Sequence, residues 1–107
     1  MGYRIVPVLL VAGGVLAWGW AKGGDAEKGK ALFAQQCATC HYATTTEKKL
    51  GPGLKGLFQT AKLNNGKKAT EQNIRAQIDN GGNGMPPFKD MLSDHEKDDL
   101  IAYLKKL

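Results

Sequence analysis

Apolar positions recur with a helical period in three stretches of the 107-residue chain. In the first, Gly29, Leu32, Phe33 and Cys37 fall at i, i+3, i+4 and i+8, on one face of a helix. Asp25 is a suitable N-cap, so a helix is predicted from Ala26 to about Ala38. Gly29 offers a place where another helix can approach. In the second stretch Thr70 caps Glu71 to Asn80, Ile74 and Ile78 face inward, and Gly81-Gly82-Asn83-Gly84 ends the run. In the third, Ser93 and Glu96 form a capping box. Leu100, Ile101, Tyr103, Leu104 and Leu107 make its apolar stripe, and Lys105 and Lys106 complement the C-terminal end of its dipole. No stretch alternates over a useful length with the period of a strand, and there is no internal repeat. The pattern predicts an all-α body of three to four short helices.

The connections between these helices are long. Tyr42 to Leu50 is polar and reads as a solvated loop. Gly51-Pro52-Gly53-Leu54-Lys55-Gly56 is turn chemistry, followed by Leu57-Phe58. Gln59 to Ala69 is rich in Lys and Asn, with a turn at Asn64-Asn65-Gly66. Loops of this length argue against a compact domain unless something gives them a surface to pack on.

The first 21 residues differ from the rest. Met1 to Arg4 carries one charge, and Ile5 to Ala21 carries none. This segment, 1–21, reads as a signal peptide or as an uncleaved N-terminal membrane anchor. Small-x-small triplets at Ala17-Trp18-Gly19 and Gly19-Trp20-Ala21 suit cleavage, while Trp18 and Trp20 suit a membrane interface. The uncharged run is at the lower limit for crossing a bilayer. In both readings Arg4 stays on the cytoplasmic side and the body, residues 22–107, is delivered outside the inner membrane. The chain has a net charge of +5, to which Arg4 contributes one. A modest charge on an exported body excludes nucleic acid as a partner. A body this small buries little apolar surface and needs a staple.

The candidate for that staple is Cys37-Ala38-Thr39-Cys40-His41. Cys-x-x-Cys-His is the attachment signature of a c-type haem. Each thiol bonds one vinyl group, and the adjacent imidazole is placed to bind iron. Rival readings lack support elsewhere in the chain. A structural zinc site takes four ligands, and the chain has two Cys and two His, with Cys40 and His41 adjacent. A thioredoxin-type pair needs a βαβ context. Two Cys do not make a disulfide framework. The carbonyl of Pro52 can accept the free ring N–H of His41 and fix its tautomer. A simple turn is the alternative role for that proline.

An iron held by His41 needs a second ligand on its other face. The candidates are Met85, Met91 and His95. Met85 lies in a Gly/Pro-rich loop with no helix face to pack on, which favours it. Met91 adjoins Leu92 just before the Ser93 cap, where packing is the expected role. His95 stands between Asp94 and Glu96 at an acidic helix start, which suits a solvated surface residue.

These features occur together in an order that resembles the class I c-type cytochromes, the small monohaem electron carriers of bacteria and mitochondria. The resemblance covers nearly all of residues 25–107. It rests on Gly29-x-x-x-Phe33, Cys37-Ala38-Thr39-Cys40-His41, Gly51-Pro52-Gly53-Leu54-x-Gly56, Met85-Pro86-Pro87-Phe88 and the aromatic Tyr103 in the last helix. It implies the cytochrome c fold, with helices and long loops wrapped round one covalently bound haem. It also implies thioethers at Cys37 and Cys40, axial ligands at His41 and Met85, and Pro52 as carbonyl partner of His41. The first and last helices are expected to cross at Gly29 and Tyr103. Trp, which holds a haem propionate in many members, is present here only at Trp18 and Trp20.

A haem with His and Met on its two faces has no open position, and such ligation raises the potential. The expected function is therefore one-electron transfer without substrate turnover. Between residues 42 and 69 Lys48, Lys49, Lys55, Lys62, Lys67 and Lys68 face only Glu47 in charge. They read either as a solvated basic face or as a docking surface for redox protein partners with an acidic face. Two further readings are a fixed haem subunit of a membrane electron-transfer complex, held by residues 5–21, and a gas-binding or weak peroxidase protein with a labile Met85.

Overall fold

A computed structural model describes Gly2 and residues 23–107. The apolar run 5–21 lies outside the described residues. Among the described residues no helix is long and apolar enough to cross a membrane.

Three α-helices form where the periodicity places them: α1 Ala26–Gln36, α2 Glu71–Asn80 and α3 Asp94–Leu104. A single 3₁₀ turn, Leu57–Gln59, follows Gly56, whose φ of 70° is left-handed. Caps define the helix starts. The Asp25 carboxylate accepts from the N–H groups of Glu27 and Lys28, and the Thr70 hydroxyl accepts from that of Asn73. Ser93 and Glu96 close both halves of the capping box. Among the described residues the extended chain makes only isolated bridges, one joining Lys62 to Lys68 around the Asn64-Asn65-Gly66 turn.

Helix α1 stops at Gln36, two residues before the predicted end. Cys37 caps it, and the Phe33 carbonyl accepts from both Cys37 N–H and Ala38 N–H. The Cys37 carbonyl then receives the N–H groups of Cys40 and His41, each at 3.0 Å. Thus the helix ends in a tight turn that carries all three chemically special side chains.

Helices α1 and α3 cross at Gly29. A Cβ there would run into the Asp99 carbonyl, and would lie 2.8 Å from Tyr103 Cβ. Phe33 stacks obliquely on Tyr103, with ring centroids 5.6 Å apart. Gly24 also packs on the Asp98–Asp99 backbone. The core is Phe33, Ile74, Ile78, Phe88, Leu92, Leu100, Ile101 and Leu104, all buried.

One detail differs from the sequence expectation and two go beyond it. Met91 is 59% exposed, and its neighbour Leu92 fills the core instead. Lys105 caps α3 and its ammonium turns to Glu71 of α2 at 2.7 Å, so it links two helices as well as ending one. Lys97 and Asp99, charged residues on α3, are buried. Asp99 accepts a 2.7 Å hydrogen bond from the Asp25 N–H and ties α3 to the start of α1. Lys97 pairs with Asp79 at 2.7 Å.

Candidate haem site

The segment after the cysteine turn folds back on it. Gly51 N–H donates to the Cys40 carbonyl at 2.7 Å, and Leu54 N–H to the Tyr42 carbonyl at 2.8 Å. This clasp brings the Pro52 carbonyl within 2.8 Å of His41 Nδ1. Pro52 has no N–H to offer, and a carbonyl only accepts. His41 Nδ1 therefore carries the proton, which leaves the Nε2 lone pair free to bind a metal. Gly51 is required at the contact, because a Cβ there would collide with the His41 ring. Gly53 is similarly crowded by the Thr45 carbonyl and lies 2.7 Å, at its Cβ position, from the Glu47 carbonyl.

Met85 is presented by a loop of a different kind. The backbone at Gly81, Gly82, Asn83 and Gly84 has positive φ throughout, from 52° to 116°. Gly82 and Met85 exchange two backbone hydrogen bonds of 2.9 and 3.0 Å. Pro86 and Pro87 follow, and Phe88 N–H returns to the Ile78 carbonyl at 2.9 Å. The Gln77 side-chain amide donates to Met85 Sδ at 3.6 Å and to the Gly81 carbonyl at 3.2 Å. Asn65 in turn donates to Gln77 Oε1 at 3.1 Å. Reasoning from sequence did not single out Gln77. Its only signal was position, eight residues before the methionine and on the helix that carries Ile74 and Ile78.

Cys37, Cys40, His41, Pro52 and Met85 all line one cavity of about 580 Å³. That size is in the range of cofactor sites. Phe33, Leu57, Ile74, Ile78, Leu100 and Leu104 supply apolar wall. Met91 and His95 are exposed and do not line it. Cys37 and Cys40 are half-buried and are not joined to each other in a disulfide. Among the described residues no group of three or more His, Cys, Asp or Glu could hold a bare metal ion. A large apolar cavity with paired thiols at its wall and one oriented imidazole fits a porphyrin, whose bulk is apolar and whose iron brings four of its own ligands.

Comparison with known proteins agrees with this chemistry. Residues 24–104 match the family model described as cytochrome c oxidase, cbb3-type, subunit III. The chain is 37% identical over 100 residues to a cytochrome c6 of Synechocystis, covering 92% of this chain and 80% of that protein. It is 36% identical over 80 residues to the cytochrome c6 of Leptolyngbya boryana, covering 75% and 89%. The crystal structure of cytochrome c6 from the diatom Phaeodactylum tricornutum superposes with a TM-score of 0.60 at 30% identity, over 76% of this chain and 91% of that one. The fold is the all-α cytochrome c fold. The chain belongs to the class I c-type cytochromes, and it is a monohaem electron carrier with its haem attached covalently through Cys37 and Cys40.

Proposed function

We propose that His41 and Met85 are the two axial ligands of the haem iron, and that with both in place the protein carries single electrons without turning over a substrate. The observation that carries this reading is the convergence of the two side chains on one cavity, with His41 Nδ1 held at 2.8 Å by Pro52. The haem supplies one-electron exchange at its iron. His41 donates from Nε2 because Nδ1–H is committed to the Pro52 carbonyl. Met85 offers a neutral thioether, which favours the reduced iron relative to a second imidazole. The apolar walls exclude water and keep geometric change between the two oxidation states small. A closed site of this kind is no enzyme.

The working location is the periplasmic side of the bacterial inner membrane, reached by way of residues 1–21. The partners are redox proteins with acidic faces. Lys48, Lys49, Lys55, Lys62, Lys67 and Lys68 are all exposed, and Lys48, Lys55 and Lys62 stand at the cavity wall. Such a field steers an acidic surface toward the cofactor edge. Replacing Lys48, Lys55 and Lys62 by Gln is expected to slow electron delivery at low salt and to flatten its dependence on ionic strength. Stopped-flow kinetics that did not change would remove the docking role. The apolar run 5–21 favours a second arrangement, in which the same domain is tethered as a haem subunit of a membrane complex. Membrane fractionation separates the two.

The test of the axial assignment is the optical spectrum of the reduced protein with and without carbon monoxide. A sharp low-spin spectrum indifferent to the gas is expected. A spectrum that shifts on adding gas would reveal an open or labile sixth position and point to a gas-binding or peroxidase role.

A further inference from the structure

Lys97 is the least exposed charged side chain in the described body, with 5% of its side-chain surface accessible. Burying an ammonium is costly unless it is paired and hydrogen-bonded. Here it is both. Nζ lies 2.7 Å from Asp79 Oδ1 near the end of α2, and donates to the Lys89 carbonyl at 3.2 Å. Asp94, at 3.8 Å, is 94% exposed and adds little. One buried cation on α3 therefore fastens two other segments, the end of α2 and the chain at Lys89.

Those two segments are the anchor of the Met85 loop. Phe88 N–H and Lys89 N–H donate to the Ile78 and Asp79 carbonyls at 2.9 and 3.1 Å. Between this anchor and Met85 stand only Pro86 and Pro87, whose φ angles are fixed by their rings. On the other side of Met85 the run Gly82-Asn83-Gly84 is exposed, and each residue has positive φ. Glycines hold no position by themselves. Met85 is thus held from both sides, by its paired backbone hydrogen bonds to Gly82 and by the proline arm, and the arm is the side whose far end a buried ion pair fixes.

We infer that Lys97, with Asp79 and the Lys89 carbonyl, is a positioning device that holds the Met85 sulfur in place through the Pro86-Pro87-Phe88 arm. Stability does not require an ion pair here, since two apolar side chains in place of Lys97 and Asp79 would fill the same space without a desolvation cost, whereas removing one partner alone leaves the other charge unpaired. What the lysine adds is a directed contact to the arm itself. The inference rests on Met85 being the sixth ligand.

The test uses the ferric holoprotein and imidazole as the entering ligand, since imidazole binds only when the thioether leaves. Lys97→Met is expected to accelerate imidazole entry on the order of tenfold or more at temperatures well below unfolding, the effect of losing a charge-assisted hydrogen bond. It should also weaken the long-wavelength sulfur-to-iron absorption band. Asp79→Asn, which keeps the backbone contacts, is expected to give a smaller acceleration and serves if Lys97→Met does not fold. Wild-type entry rates in both variants, with the band intact, would overturn the role of Lys97, even if the melting temperature fell. A wild-type protein that lacks the band altogether would overturn the Met85 assignment itself, which keeps the two failures distinct.

Discussion

At the scale of single residues, the site divides into groups the sequence displays and groups it conceals. Gln77 belongs to the second kind. Its amide N–H points at Met85 Sδ from 3.6 Å and draws electron density from the sulfur. With Met85 as the proposed sixth ligand, a thioether so depleted would be a poorer donor to ferric than to ferrous iron, and the contact is expected to raise the reduction potential. A hydrogen bond with a net worth of about 1 kcal/mol corresponds to roughly 40 mV for one electron. Gln77→Val is expected to lower the midpoint potential by that order in a spectroelectrochemical titration, with the low-spin spectrum retained. An unchanged potential would show that the amide serves only Gly81. The cysteines and His41 were legible because five contiguous residues state their chemistry. Gln77, Lys97 and Asp99 were not, because a polar residue on a helix reads as solvated until its partner is known. Asp25, which donates to Asp99, is 74 positions away in the sequence.

At the scale of elements, helix extents were legible from period and caps, since both are local. The end of α1 was placed two residues late because Cys37 continues the apolar face even though it leaves the helix. The contact between α1 and α3 was approachable through Gly29 and Tyr103, but only the packed helices show how tight it is. Gly29→Ala sets two effects against each other. Ala gains about 1 kcal/mol in helix propensity. Against this, the new Cβ meets the Asp99 carbonyl and Tyr103 Cβ, both fixed to the backbone of α3, which has no flexible end to move aside. Forced separation of well-packed elements costs about 1–3 kcal/mol, and here the helices themselves must shift. The clash wins. A net loss of about 1–2 kcal/mol is expected, and with it a fall in melting temperature of roughly 5–15 °C for a domain this small. Equal or higher stability by thermal denaturation would mean that the crossing is looser than described.

At the scale of the whole molecule, the all-α class was legible, but the reason for its long loops was not available from local pattern. Residues 42–70 contain one 3₁₀ turn and isolated bridging, and they hold together because they surround something. The cavity they help to enclose, about 580 Å³, sits among Phe33, Ile74, Ile78, Leu100 and Leu104, which are most of the core. An apolar cavity of this size, left unfilled, exposes those walls to water and leaves them without packing partners. The body is therefore not expected to persist with the cavity empty. It would collapse or unfold, and the loops would lose the surface that orders them. Replacing both Cys37 and Cys40 by Ala removes covalent attachment and leaves every other contact available. The expected outcome, by far-ultraviolet circular dichroism and proteolysis, is loss of most helical signal and rapid cleavage within residues 42–70, with partial recovery when free haem is added and the proposed ligands, His41 and Met85, take hold. A doubly substituted chain that kept its helices and its protease resistance without haem would show that the eight buried apolar side chains suffice, and that the haem is only a passenger in the fold.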